Sequence, residues 1–381
     1  MNTQAHILSA VTTKFGRRDD STTLDLLAEA ANDCLTMAGM ERRDIDGVLC
    51  GYATTFPHLM LATLLSEKLG LNPAYAHGMQ LGGATGAAMV MLARELILSG
   101  RCQHVLVVAG ENRLSGQSTD SSMQTLAQVG EADLEVPCGA SVPTYYALLA
   151  SEYMHRTGLT KADLAEFAVL MRHHASTHPH AHLQNAITVD DVLQSKPISS
   201  PLQLLDCCPI SDGACAILVS ARPGPVAITG AGQAHQHQHL SRIGDIYDTG
   251  AAAAATRALA DAKISRKDID YLGIYDSFTI TLAILLEELG FAQRGQSAND
   301  VRQGKFSTDG PLPLNTHGGL LSFGHSGVAG GMAHIAETWA QLAGRAKDRQ
   351  IARKKQAFIH ADGGVLSSHI SLILRATGET A

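Results

Sequence analysis

Five polar side chains sit beside glycines or at strand ends, where a reacting group could reach them. His325 lies in Gly324-His325-Ser326-Gly327, a turn before a helical stretch that exposes its imidazole. His317 precedes Gly318 and Gly319, and Asp362 lies between an apolar strand and the pair Gly363–Gly364. Tyr275 and Asp276 end the apolar run at 271–274. A phenol, two imidazoles and two carboxyls are the residue types of general acid–base work, because burial and neighbours can bring their proton affinities into the working range. Asp276 has a second reading, as the cap of a helix that begins near Phe278. Tyr275 has one too, as a ring that closes the core.

A nucleophile is harder to find. Residues 82–100, GGATGAAMVMLARELILSG, form a glycine turn that opens a long apolar helix, and the strand HVLVVAGE follows at 104–111. A thiol at such a helix N-terminus would ionise easily, helped by backbone N–H groups and the helix dipole. The residue there is Gly83, which with Gly363 and Gly364 offers only backbone N–H donors for an oxyanion or substrate. Of seven cysteines, Cys50, Cys102 and Cys215 fall in apolar strands or strand ends and read as core, and Cys138, after Pro137, is the one kept as an alternative thiol. The seven lack zinc spacing. His173, His174, His178, His180 and His182 form one cluster, and His235, His237 and His239 alternate as along a solvent-facing strand edge. No metal site is assigned. The glycine turns at 82–86 and 327–331 carry neither a P-loop lysine nor a dinucleotide-type acidic partner.

The elements that must position these groups come in two copies. ERRDIDGVLCGY at 41–52 recurs as SRKDIDYLGIYD at 265–276, and GGATGAAMVMLARELILSGR at 82–101 recurs as SGVAGGMAHIAETWAQLAGR at 326–345. Two matching pairs in the same order point to a duplicated αβ unit. The 381 residues, 45% hydrophobic and 17% charged, suffice for both copies and a large core. Their division is 1–114 with 201–222 for the first half, 115–200 for an inserted loop domain over one face of that half, and 223–381 for the second half. A net charge of −7 and 4% aromatics argue against nucleic acid as a ligand. No apolar run reaches membrane-spanning length, and the N-terminus shows no secretory pattern. The odd cysteine count points to a reducing cytoplasm.

The duplication, the insertion and a glycine-led helix in each half resemble the thiolase superfamily over essentially the whole chain. The segments LDCCPISDGACAILVS (205–220), YDSFTITLAILLEELGF (275–291), PLPLNTHGGLLSFGHSGVAGG (311–331) and HADGGVLSS (360–368) carry the likeness, most closely to the sterol-carrier-protein-type and archaeal-bacterial branch. The resemblance implies an α/β thiolase fold, a five-layered αβαβα arrangement of duplicated halves with a loop insertion. It also implies that Gly83 and Ala361 replace the two thiolase cysteines, that Gly324-His325-Ser326 keeps the histidine of the Gly-His-Pro motif, and that Tyr275 stands where thiolases carry Asn or His. Thiolase-like steroid side-chain aldolases look similar around Tyr275.

The implied activity is carbon–carbon bond making or breaking beside a CoA thioester without a cysteine nucleophile. Retro-aldol cleavage of a β-hydroxyacyl-CoA in lipid, steroid or aromatic-acid catabolism leads. Alternatives are acetyl-CoA acetyltransferase-like acyl transfer and a degenerate acyl-CoA-binding subunit. Tyr275 would be the acid/base, His325 the donor to the thioester oxygen, and Asp362 or His317 a proton-relay partner, with Asp276 beside them. No cofactor beyond the CoA of the substrate is implied. The implied partners are a second copy, joined at an edge strand formed by HVLVVAGEN (104–112), and a small zinc-ribbon and OB-fold protein.

Overall fold

The computed structural model describes residues 4–139, 141–353 and 355–378. The first half contains β1 (His6–Thr12), α1 (Thr23–Ala38), β2 (Gly47–Gly51), α2 (Leu61–Leu69), β3 (Tyr75–Met79), α3 (Thr85–Leu98) and β4 (His104–Asn112). Next come α4 (Thr119–Ala127), α5 (Val142–Thr157), α6 (Lys161–Ala175), α7 (Val189–Gln194) and the short strands β5 (Pro197–Ser199) and β6 (Leu202–Gln203). The chain returns to the first half through β7 (Asp212–Ser220) and enters the second with β8 (Val226–His235), α8 (Ala251–Ala262) and β9 (Tyr271–Ile274). It ends with α9 (Thr279–Glu288), α10 (Ser297–Arg302), α11 (Gly319–Phe323), α12 (Val328–Leu342), β10 (Gln356–Gly363) and β11 (Ser368–Ala376).

The sequence repeat is a structural repeat. After α1 a capped 3-10 turn, Glu41 with Asp44, feeds β2; after α8 the same turn, Ser265 with Asp268, feeds β9. The strands run in the order β3-β2-β4-β7-β1-β8-β11-β10-β9. In the first half β2 is parallel to β4, which is antiparallel to β7, itself antiparallel to β1. In the second half β9, β10, β11 and β8 repeat that pattern. The strand order passes from one half to the other at β1 and β8, paired at His6↔Ala227 and Ile7↔Val226. The halves therefore form two half-sheets that touch at this seam.

Three large apolar clusters hold five structural layers together. Helices α1 and α2 cover the outer face of the first half-sheet through Leu26, Leu27, Leu65 and their neighbours. Helices α3 and α12 lie between the half-sheets, where Val107, Ile217, Ile359 and Ile370 meet Met89, Met332 and Trp339. Helix α12 is buried on nearly every side, as its apolar sequence requires. Helices α8 and α9 cover the second half-sheet from outside. This is the αβαβα arrangement.

Two details differ from the sequence reading. The inserted segment packs on the second half: Tyr146, Tyr153, Phe167 and Met171 join the layer of α8 and α9, and α6 touches α9 and α11. The apolar faces of α5 and α6 need a partner, and α9, buried along its whole length, supplies it. Nor is β4 an edge strand, since β2 and β7 flank it. Its apolar character reflects burial on both faces; the edge of that half-sheet is β3. Among the described residues, no helix is long and apolar enough to cross a membrane.

Candidate active site

The site forms where the parallel strand pairs of both halves end, the usual place for a crevice in an α/β sheet. Tyr275 follows β9, Asp362 lies within β10, and Arg113 follows β4. Asp362 thus sits one step deeper than its sequence position implied.

Gly83 and Tyr275 share one space. A Cβ at residue 83 would collide with the Tyr275 hydroxyl and with the carbonyl oxygen of Asp362. The phenol stands where a nucleophilic side chain at the N-terminus of α3 would project. Its hydroxyl lies 3.2 Å from His325 Nε2, and its ring stacks on His334 at 6.3 Å between centroids. Burial above all, then Cys208 and Asp362, raises the Tyr275 hydroxyl well above the ordinary phenol value; nearby Arg113 acts in the opposite sense. The resting group is a neutral phenol.

His325 is anchored at its backbone. Its N–H donates to Pro209 O at 2.9 Å and its carbonyl accepts from Ser211 at 3.1 Å. Ser326, in place of the motif's proline, donates to the carbonyls of Glu111 (2.8 Å) and Gly213 (2.6 Å) and so ties the turn to β4 and β7. On the far side of the ring, Arg113 Nη1 lies 3.1 Å from Nδ1. Burial and then Arg113 hold the imidazole down at about 3, so it is uncharged at neutral pH.

Asp362 is 1% exposed. Its Oδ2 accepts from the Tyr146 hydroxyl at 3.1 Å, and its Oδ1 has no hydrogen-bond partner among the described residues. Burial pushes the carboxyl well above the usual range. Tyr146 comes from the inserted α5 and stacks on Phe278 at 4.4 Å. Gly363 and Gly364 abut the glycine turn before α3, for a Cβ at Gly82 would meet the backbone of both. The glycine backbones of both halves thereby meet beside the phenol.

The other two candidates take structural places. Asp276 accepts from the N–H of Leu320 (2.7 Å) at the start of α11 and pairs with His334 Nε2 (3.1 Å). It caps α11 rather than α9, because Gly319, at φ +58, brings its Cβ-less backbone against the carboxylate. His317 is fully buried behind His334, ring centroids 4.8 Å apart, and neither of its nitrogens has a hydrogen-bond partner. Among the described residues it makes no hydrogen bond to Tyr275 or His325. Cys138 is exposed and its thiol donates to Leu134 O at 3.3 Å. His235 ends β8, while His237 and His239 lie in the following loop. Among the described residues no group of three or more His, Cys, Asp and Glu is arranged to hold a metal.

Sequence reasoning missed Arg113, Tyr146, His334 and Cys208. For Arg113 a signal existed: a cation directly after a strand whose run is otherwise apolar, at the end where such sheets bind ligands. Tyr146 had none, because its place depends on how the insertion folds back.

The thiolase N-terminal domain model matches residues 5–223, and a thiolase C-terminal domain-like model matches residues 232–376. The chain is 29% identical over 374 residues to an acetyl-CoA acetyltransferase of Methanothermobacter thermautotrophicus, covering 94% of this chain and 96% of that one. It is 32% identical over 345 residues to a steroid side-chain-cleaving aldolase of Thermomonospora curvata, covering 83% and 86%. Among solved structures, the Ltp2-ChsH2(DUF35) aldolase superposes with a TM-score of 0.85 at 29% identity, over 99% of each chain.

Proposed function

The chain belongs to the thiolase family, and from that premise we propose that it is a CoA-ester aldolase, cleaving a β-hydroxyacyl-CoA by a retro-aldol step. The observation that carries this reading is the Tyr275 hydroxyl occupying the space of a nucleophilic side chain at residue 83, within hydrogen-bond reach of His325. No thiol stands at Gly83 or Ala361, and Cys208, near Tyr275, is pushed up by burial and stays a thiol. Neither of the positions that hold the thiolase cysteines therefore offers a thiol to carry an acyl group.

The step needs a polarised thioester and a route for one proton. His325 donates a hydrogen bond to the thioester oxygen, which becomes the enolate oxygen as the Cα–Cβ bond breaks. The bonding pair passes to Cα, the β-carbon becomes a carbonyl, and the β-hydroxyl proton ends on Cα. Tyr275, neutral at rest, serves by exchange, handing on its own proton as it takes the substrate's. Asp362, a buried carboxyl with one free oxygen, is the nearby proton reservoir. Asp276 and His317 hold this arrangement from behind.

The DUF35 companion named with the structural neighbour supports a partner protein here, which we take to be the small zinc-ribbon and OB-fold protein. The unpaired edge of β3, with Leu98 exposed on the adjoining α3, supports a homodimer joined there. Seven free thiols fit a cytoplasmic location. Incubation with a panel of β-hydroxyacyl-CoAs, with and without the partner, tests the activity. Release of an aldehyde or ketone and a shortened acyl-CoA is expected. Thiolysis or acetyl transfer instead would favour the acyltransferase reading, and binding with no turnover under either condition would mark a degenerate subunit.

A further inference from the structure

Arg113 is 8% exposed and held in place from several sides. Asp212, at the start of β7, accepts from the N–H groups of Leu114 (2.6 Å) and Ser115 (3.1 Å), and so pins the backbone that follows it. Glu111, whose carboxylate also takes the N–H groups of Thr54 and Thr55, lies 3.9 Å from Arg113 Nε. The guanidinium is thereby aimed at the imidazole, with Nη1 3.1 Å from His325 Nδ1.

A guanidinium has only donors. The partner nitrogen must therefore be an acceptor, and the single ring proton must lie on the other one. We propose that Arg113 is a positioning residue that fixes His325 as the Nε2–H tautomer, making the imidazole a hydrogen-bond donor toward the reacting oxygen and denying it the role of base. Nε2 faces the Tyr275 hydroxyl at 3.2 Å. In the resting site the phenol oxygen accepts that proton's hydrogen bond, which leaves the phenol's own proton free for exchange. In the opposite tautomer Nε2 would accept, and the same ring could not stabilise an enolate. A second ring proton is also opposed, because it would set an imidazolium against the guanidinium.

The assignment rests on the aldolase reading for its catalytic meaning, but not for its test. Protein labelled with ring-¹⁵N histidine, with the His325 signals identified by their loss in His325→Gln, should show a protonated Nε2 and an unprotonated Nδ1 at neutral pH. In Arg113→Met, which keeps length but no donor, the second tautomer should appear; in Arg113→Lys the first should persist. On a substrate that the parent protein cleaves, Arg113→Met should lower kcat by about 10²-fold, the lower end of the range for one lost oxyanion donor. KM should change much less, and Arg113→Lys should recover part of the loss. A proton on Nδ1 in the parent protein, or ring signals unchanged in Arg113→Met, overturns the proposal. If Arg113→Met does not fold, the parent spectrum and the lysine variant still decide. The expected tautomer in a protein that cleaves nothing would uphold the positioning role and sink the aldolase reading.

Discussion

The two halves share one topology and bury different chemistry. The first half buries thiols: Cys34, Cys50, Cys102 and Cys215 lie within its layers, with Cys34 and Cys50 pushed up to about 12 by desolvation. The second half buries imidazoles and carboxyls, among them His317, His334, His360, His369, Asp276 and Asp362. At the equivalent glycine turns the contrast is sharper. The first half offers Gly83 and no side chain, while the second offers His325. Duplication supplied two frames, and the proton-handling groups proposed for the site sit in one of them. What the first half adds is space at Gly83 and a cation, Arg113.

The largest effect should follow from removing the phenolic oxygen. Tyr275→Phe keeps the ring stacked on His334, so turnover should fall by about 10²–10⁴-fold, the usual span for general acid–base catalysis, with substrate affinity little changed. His325→Ala should lower transition-state stabilisation by about 2.7–4 kcal/mol, the loss of one oxyanion donor, with the fold intact by circular dichroism. Full cleavage by Tyr275→Phe would falsify the role given to the phenol and would move attention to Asp362.

Returning a thiol to the first half tests whether the space is truly taken. Gly83→Cys places a side chain against the Tyr275 hydroxyl and the Asp362 carbonyl. It should destabilise the protein by about 1–3 kcal/mol, as overpacking does, and mass spectrometry after acetyl-CoA should find no acyl-enzyme. Combined with Tyr275→Ala, the loss in stability should be smaller than the sum of the two single losses, because the clashing phenol is gone. A stable, readily acylated Gly83→Cys variant would show that the phenol does not exclude a nucleophile.

The smallest effect is in acid. Burial holds His325 and His178 at about 3 and His174 and His369 at about 4, and pushes His317 and His360 well below the ordinary imidazole value. Below pH 6.5 the unfolded chain takes up protons that these folded sites refuse, so their contribution is full above that pH and is lost as pH falls toward 3–4. Asp276 and Asp362, raised by burial, act in the opposite sense, but the histidines outnumber them. Denaturant midpoints should fall from pH 7 toward pH 4. Hydrogen exchange should show the loss in the second half and the insertion before the first half; uniform loss over both halves would contradict the division drawn here.

Local chemistry in the chain determined the frame. The paired segments at 41–52 and 265–276, and at 82–101 and 326–345, predict two matching αβ units because apolar periodicity and capping turns act within a few residues of themselves. The resemblance to thiolases made Gly83 legible as a missing nucleophile, and the local glycine turn made His325 legible as a residue at the start of a helix. Only the tertiary structure could decide what fills the vacancy. Tyr275 lies 192 positions from Gly83, and its hydroxyl reaches that space because the half-sheets meet at one seam and bring the ends of β9 and β10 against the start of α3. The separation of Asp276 from Asp362 is equally non-local: one carboxyl meets the N–H groups of α11 and a histidine, the other a single tyrosine from the insertion. Partners distant in sequence set the desolvation and hydrogen bonding of each carboxyl, and only the folded packing brings those partners together.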